Sequence, residues 1–267
     1  MKSIRKPAVA GSFYPADPAR LREMVKNYLE TAGQTSSAES ETKVPKAVIV
    51  PHAGYVYSGQ VAAYAYLRLA CARDSITRVV LLGPTHHVPV EGLALSSARE
   101  FETPLGRIPL DREAMNTVRG LPKVQVLDAA HAQEHSLEVQ LPFLQEVLSR
   151  FALVPVAVGG ADPRDVALVL DAVWGGTETV LVISSDLSHF HDYETASRLD
   201  RTTTRAIELL QPDGIGRDQA CGFRPVSGML LAARDRGLKA TTVALKNSGD
   251  VTGTSERVVG YGAYVFE

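Results

Sequence analysis

Short apolar runs recur along the chain and are separated by stretches with helical spacing. Most of the runs are continuous rather than alternating, which is typical of strands that are buried on both faces of a sheet. We therefore predict strands over the following segments: 47–50, 79–82, 153–158, 179–185 and 260–267.

Segments between these runs have the patterns of helices. Val166, Val169, Leu170 and Val173 follow the i, i+3, i+4, i+7 rule of one buried helical face. Comparable patterns predict helices over 58–69, 111–118 (with Asp111 as N-cap), 163–173 and 192–210, and one around Leu141, Leu144 and Leu148. Alternating strands and helices indicate an α/β protein, a single-domain α/β/α sandwich with a mainly parallel or mixed central sheet.

The polar segment 33–45 is small, aperiodic and rich in Ser, Thr and Glu, so we predict an exposed, mobile loop there. A short N-terminal arm precedes it. No other break in composition follows, and we take 1–267 as one domain. We find no phosphate-binding loop, no dinucleotide fingerprint and no serine nucleophile elbow, so a nucleotide cofactor is not expected.

Composition narrows the class of protein. The 267 residues include 28 Lys and Arg against 30 Asp and Glu, a formal charge of −2, which argues against a strongly basic nucleic-acid binder. No run approaches the roughly 18 apolar residues of a membrane span. Two cysteines, Cys71 and Cys221, cannot build a disulfide scaffold, so we expect a protein of the reducing cytoplasm.

Histidines follow three of the predicted strands directly. His52 comes after the first strand, His86 and His87 after the second, and His189 after Asp186 at the end of the strand 179–185. Ligands of parallel α/β sheets bind outside the carboxyl ends of the strands. We therefore expect these imidazoles to meet at one edge of the sheet.

Neutral imidazoles bind transition metals or act as general bases near neutral pH. Two of them with one further anionic ligand make an open, three-ligand metal site. The third ligand is either a carboxylate or a thiolate on this reasoning. Cys221 lies in a turn-rich loop and is a candidate, although a small buried apolar residue is the simpler interpretation. Cys71 is expected to be structural.

His131-Ala132-Gln133-Glu134-His135 matches H-x-x-E-H, the inverted motif of zinc peptidases. On a helix, His131 and His135 would lie one turn apart and bind zinc, with Glu134 as the base. The motif is short, and Pro142 follows soon after it. Zinc hydrolysis is therefore the least favoured of the alternatives.

Several ordered motifs make the chain similar to one known family. They are Ala10-Gly11-Ser12-Phe13-Tyr14-Pro15, Pro51-His52-Ala53-Gly54-Tyr55-Val56-Tyr57-Ser58-Gly59, Gly83-Pro84-Thr85-His86-His87, Glu134-His135-Ser136-Leu137-Glu138, Ser184-Ser185-Asp186-Leu187-Ser188-His189 and Cys221-Gly222. Together they resemble the MEMO family over essentially the whole chain. The resemblance implies a fold similar to class III extradiol dioxygenases of the LigB type, which open catechol rings with non-haem Fe(II).

The resemblance also implies roles for individual residues. It makes His52, His86 and Cys221 the metal ligands, and it places His189 at the position of the dioxygenase acid/base histidine. Asp186 would orient His189 or the metal shell. His87, Glu134 and His135 would line the pocket or hold the ligands from behind, and His131 and His191 lie outside the family pattern.

Cys221 is a departure from the dioxygenases, which use two histidines and one carboxylate. A thiolate is a softer ligand that also suits zinc or copper. The resemblance favours a metal-dependent, dioxygenase-like oxidoreductase that uses Fe(II), with copper or zinc as the alternative metals. A protein that only binds a peptide or metabolite is the alternative function. Family context implies AMMECR-domain and radical-SAM proteins as partners, whereas the oligomeric state is not predicted.

Overall fold

Nine strands form the central sheet of the protein in a computed structural model, which describes residues 3–35 and 43–267. In chain order the strands of the described residues are β1 (Ile4–Arg5), β2 (Ala47–Val50), β3 (Arg78–Pro84), β4 (Leu93–Leu95), β5 (Glu100–Thr103), β6 (Gly106–Pro109), β7 (Val124–Val126), β8 (Ala152–Val158), β9 (Thr179–Ser184), β10 (His189–His191), β11 (Ala240–Asn247) and β12 (Val258–Phe266). Strands β1, β5 and β6 form a separate small sheet.

The helices of the same residues lie between these strands. They are α1 (Pro18–Thr35), α2 (Tyr55–Leu67), α3 (Arg112–Arg119), α4 (Ala129–Ala132), α5 (Leu141–Val147), α6 (Pro163–Ala172), α7 (Tyr193–Glu208), α8 (Phe223–Asp235) and α9 (Gly249–Thr252). Helix α2 packs on α1 and on β2 and β12, while α8 packs on α6 and contacts β3 and β9.

The central sheet is mixed and mostly parallel, as the sequence predicts. Its order is β10-β12-β2-β9-β3-β8-β4-β7, with β11 also paired to β12. The strands β2, β9, β3 and β8 are parallel neighbours, whereas β12 runs antiparallel to β2, and β4 runs antiparallel to β8. Every residue of β2 and β9 is buried, which explains their continuous apolar sequences.

The predicted loop 33–45 begins too early. Helix α1 continues to Thr35, and the rest of the predicted loop up to residue 42 lies outside the described residues. Leu21, Val25 and Ala32 bury one face of this helix. The hydroxyl of Thr35 is bonded to the carbonyl of Thr31 at 2.9 Å, so this polar side chain is accommodated within the helix.

Helix α2 begins at Tyr55, three residues before the predicted start at Ser58. Tyr55 and its neighbours have the aromatic and branched side chains that favour strands. Here tertiary packing overrides that preference, because the Tyr55 ring lies 5.1 Å from Phe143 and its hydroxyl donates to the carbonyl of Val139 at 2.6 Å. Gly54 is the N-cap of the helix.

Helix α8 has no counterpart in the sequence-based prediction, which assigns the region after Cys221 to a turn-rich loop. The helix starts one residue after Gly222. A Cβ atom on Gly222 would lie 2.7 Å from Cβ of Ser185 and 2.8 Å from the carbonyl oxygen of Ser184. Glycine at this position therefore allows the start of α8 to approach the end of β9 closely.

Of the described residues, none belongs to a helix that is both long and apolar enough to cross a membrane.

Candidate metal centre

The ends of three neighbouring parallel strands bring the imidazoles together. Strand β2 leads into His52, β3 into His86, and β9, which lies between them, leads into Asp186. The rings of His52 and His86 have their centroids 5.2 Å apart. The expectation that strand-end histidines share one edge of the sheet is thus correct for this pair.

A third imidazole, that of His135, completes the cluster. Its ring centroid lies 5.4 Å from that of His52 and 4.5 Å from that of His86, against which it stacks. One ring nitrogen from each of the three residues lies within 4.8 Å of the other two. The three histidines can therefore hold a metal ion.

His52 is the buried member of the cluster, only 2% exposed. Its backbone N–H donates to Oδ1 of Asp186 at 2.7 Å, and its Nδ1 lies 2.9 Å from Oγ of Ser184. Burial, reinforced by the charge that His86 can carry, holds the pKa of His52 well below its usual range. The ring is consequently neutral at physiological pH, as a metal ligand must be.

Glu134 holds His86 from behind. Oε1 of Glu134 lies 2.8 Å from Nδ1 of His86 and also accepts the backbone N–H of Ser136 at 2.9 Å. A carboxylate can only accept, so Nδ1 of His86 donates and its Nε2 keeps a free lone pair. Burial would raise the pKa of Glu134, but the hydrogen bonds and charge of His86 and the Ser136 N–H hold it below its ordinary value.

Cys221 lies beside His52, with Sγ 3.2 Å from Nε2 of that ring. Two ligands of one tetrahedral ion, bound at the usual Zn–N and Zn–S lengths, would stand about 3.5 Å apart, so the pair is spaced as neighbouring ligands are. The backbone N–H of Asp186 donates to Sγ at 3.3 Å. Burial, and then the charge of Asp186, raise the pKa of the Cys221 thiol, so a bound cation is needed to favour the thiolate.

Asp186 contacts the backbone of His52 rather than the ring of His189. Burial raises the pKa of Asp186, while the His52 N–H and the nearby histidines oppose that shift. His189 instead has Nδ1 2.9 Å from the carbonyl of Leu187. Because a carbonyl only accepts, Nδ1 of His189 donates there and its Nε2 is available to take a proton.

A cleft of about 1190 Å³ opens on this centre. Its walls include His86, Cys221 and the three consecutive residues His189, Phe190 and His191. Consecutive residues of a regular strand point to opposite faces. Phe190 breaks that rule because it has a left-handed backbone, with φ 62°, at an irregularity in the pairing of β10 with β12.

His87 and His191 differ from the clustered histidines. The His87 ring lies 6.1 Å from that of His135, at the exposed rim of the cluster. His191, which lies outside the family pattern, is half-buried in the cleft wall.

His131 does not join the cluster, which corrects the zinc-peptidase interpretation. Helix α4 ends at Ala132, so His131 and His135 do not share a helical face. The buried ring of His131 lies against Phe101, and its Nε2 is 3.0 Å from the carbonyl of Ala94. Among the residues that the structure describes, the histidine group able to hold a metal omits His131.

The N-terminal arm supports the centre in a way that sequence reasoning did not anticipate. The Arg5 guanidinium forms a buried ion pair with Glu138 and donates to the carbonyls of His131 and Glu134 at 3.0 and 2.7 Å. The ring of Phe13 lies 4.7 Å from that of His135. No local pattern could reveal this contact, because Arg5 and Glu138 are 133 residues apart in the sequence.

Comparisons with known proteins show the family to which the chain belongs. The family model described as Memo-like protein matches residues 5–265. A MEMO1 family protein of Methanopyrus kandleri is 36% identical over 98% of both chains, one of Aeropyrum pernix is 37% identical over 97% of this chain and 98% of its own, and one of Methanocaldococcus jannaschii is 34% identical over the whole of both. The fold and the cluster define an α/β protein with a candidate metal centre at the ends of its strands. The chain belongs to the Memo-like family.

Proposed function

We propose that the protein is a metal-dependent oxidoreductase that acts on a small molecule in the cleft. The observation that carries the proposal is the contact of Nε2 of His52 with Sγ of Cys221, 3.2 Å apart, beside the free Nε2 of His86 and next to the cleft. His52, His86 and Cys221 are the proposed ligands. His135, which the geometry groups with the two histidines, is the alternative third ligand.

Fe(II) is the metal we favour, with copper or zinc as alternatives, because a set of imidazole and thiolate ligands accepts all three. When bound, such an ion would supply Lewis acidity and, for iron or copper, one-electron chemistry. Glu134 keeps the His86 ring fixed for it. Asp186 anchors the backbone of His52 and donates its own backbone N–H to Cys221.

His189 is the proposed acid/base residue. The Leu187 carbonyl occupies Nδ1, which leaves Nε2 as the atom that takes a proton from a substrate in the cleft and returns it. Phe190 lies beside His189 with 62% of its surface exposed and offers the substrate an apolar contact. This residue set activates and orients a small molecule and does not require a nucleotide.

The compartment and partners follow from family context and from the free thiols. Both cysteines are free, and we propose a reducing cytoplasm in which Cys221 stays available to a metal. AMMECR-domain and radical-SAM proteins are the proposed partners. The alternative function is that of a protein that binds a peptide or metabolite in the same cleft without turnover.

The experiment is an oxygen- and reductant-consumption screen of iron-loaded protein, prepared without oxygen, against catechol-like and thiol compounds. For any active compound, His189→Asn should lower turnover about 10²- to 10⁴-fold while leaving metal content unchanged. His191→Asn, on the same cleft wall, is the matched control and should retain most turnover. Full activity of His189→Asn would refute its role, and a bound but inert metal would favour the binding protein.

A further inference from the structure

A chain of buried hydrogen bonds runs from Tyr66 to His52. The Tyr66 hydroxyl lies 2.8 Å from Oε1 of Gln140, and Nε2 of Gln140 lies 2.8 Å from Oγ of Ser184. That Oγ is in turn 2.9 Å from Nδ1 of His52. All four residues are at most 2% exposed, so solvent does not compete for these contacts.

The orientation of the Gln140 amide is set by its two outer contacts. The Pro51 carbonyl lies 2.9 Å from the amide nitrogen and can only accept a hydrogen bond. The amide oxygen accepts the Tyr66 hydroxyl on the other side. The second hydrogen of the amide nitrogen therefore points to Ser184.

Ser184 has one hydroxyl hydrogen, and the Ser136 carbonyl takes it at 2.6 Å. Oγ then has only acceptor capacity left for Gln140 and His52. Nδ1 of His52 must carry a hydrogen, since otherwise two lone pairs would face each other in a buried site. The Nε2 lone pair of His52 is consequently free on the side where Cys221 lies.

We propose that Ser184 is a positioning residue of the metal centre, supported from behind by Gln140 and Tyr66. The chain fixes His52 in the Nδ1–H form and presents its Nε2 to a metal ion beside Cys221. This inference rests on the proposed function, which supplies the assumption that His52 binds a metal ion. It assigns to a neutral hydroxyl the role that the Glu134 carboxylate has for His86.

His131 provides an internal comparison in the same molecule. Its Nε2 lies 3.0 Å from the carbonyl of Ala94, and its buried Nδ1 has no hydrogen-bond partner among the described residues. His131 therefore has the opposite tautomer, with the hydrogen on Nε2. The two buried histidines should be distinguishable by the chemical shifts of their ring nitrogens.

The direct test is ¹⁵N NMR of metal-free protein labelled at histidine, with the His52 signals assigned by their loss in His52→Gln. We expect His52 to be protonated at Nδ1 and His131 at Nε2. A His52 ring protonated at Nε2 in the wild type would overturn the inference without the need for any Ser184 variant.

The second test measures Co(II) and Zn(II) affinity against a competing chelator. Ser184→Ala should mix the His52 tautomers and weaken metal binding about 10- to 100-fold. Tyr66→Phe, which removes only the terminal hydroxyl from a ring stacked 5.1 Å from Phe143, should give a smaller loss. Ser227→Ala removes a buried hydroxyl on α8 that donates to the carbonyl of Pro212 rather than to a member of this hydrogen-bonded chain, and it is the matched control.

The outcomes separate this inference from the proposed function. A wild type that binds neither metal contradicts the proposed function, whereas the tautomer of His52 can still be as stated. Metal affinity and tautomer unchanged in Ser184→Ala contradict the inference alone. If Ser184→Ala does not fold, the inference is tested by the His52 tautomer of the wild type and by the metal affinity of Tyr66→Phe. A metal affinity of Tyr66→Phe equal to that of the wild type would show that Tyr66 does not support the centre.

Discussion

Both carboxylate oxygens of Glu134 accept hydrogen bonds from the same residue, His86. Oε1 lies 2.8 Å from the ring Nδ1, and Oε2 accepts the backbone N–H at 2.6 Å. This double contact fixes the His86 ring relative to its own backbone. The orientation of one proposed ligand is thus determined before any metal binds.

Glu134→Gln is the first prediction. The amide nitrogen of Gln would face one of the N–H donors that the carboxylate accepts, so at least one of them would lose its partner. Metal affinity should fall about 10- to 100-fold. Anaerobic titration with Co(II) measures it, and Glu102→Gln on the surface is the control. An affinity equal to that of the wild type would show that Glu134 does not orient His86.

The Arg5–Glu138 pair supplies a second prediction, about stability. Arg5→Met leaves a fully buried carboxylate without its cation and should cost about 3–5 kcal/mol of unfolding free energy. Lys6→Met removes the neighbouring ion pair with Glu102, whose lysine is 65% exposed, and should shift the urea midpoint little. Equal shifts of the urea midpoint in the two variants would contradict the stabilising role of the buried Arg5–Glu138 pair.

His131 gives a prediction on pH dependence. Burial lowers the pKa of His131 to about 4 from an ordinary 6.5, although the hydrogen bond to the carbonyl of Ala94 acts in the opposite direction. Between these values the unfolded chain binds a proton that the folded protein does not, so stability falls as the pH drops from 6.5 to 4. His131 should account for about 3 kcal/mol of that loss.

Urea unfolding of metal-free protein at several pH values checks this. His131→Gln should be less stable at pH 7 because it loses packing, and its stability should also fall less steeply towards pH 4. Parallel curves for the two proteins would mean that His131 does not titrate between these limits.

Local hydrophobic patterns were sufficient to predict the buried strands of the central sheet. The buried strands β2, β3, β8 and β9 are continuous apolar runs, so their approximate positions and a mainly parallel or mixed sheet could be predicted. Helix α8 could not, because its start depends on Gly222 approaching the end of β9. The segment across its start, Cys221-Gly222-Phe223-Arg224-Pro225, has the composition of a loop.

The same division holds for the site. His52 and His86 follow directly from strand ends, whereas His135 lies three residues after the end of helix α4. The segment with Glu134 and His135 is held by Arg5 from the N-terminal arm, a contact between residues far apart in the sequence. The roles of Cys221 and His189 came from family resemblance and stay predictions.

The most direct test of the account is elemental analysis of protein purified without oxygen, for the wild type, Cys221→Ser, His135→Gln and Cys71→Ser. We expect near-stoichiometric iron or another transition metal in the wild type and in Cys71→Ser, whose cysteine is exposed and lies outside the centre. Cys221→Ser should lose the metal, and loss in His135→Gln alone would instead assign the three-histidine set. No metal in the wild type, even after anaerobic reconstitution, would contradict the metal centre.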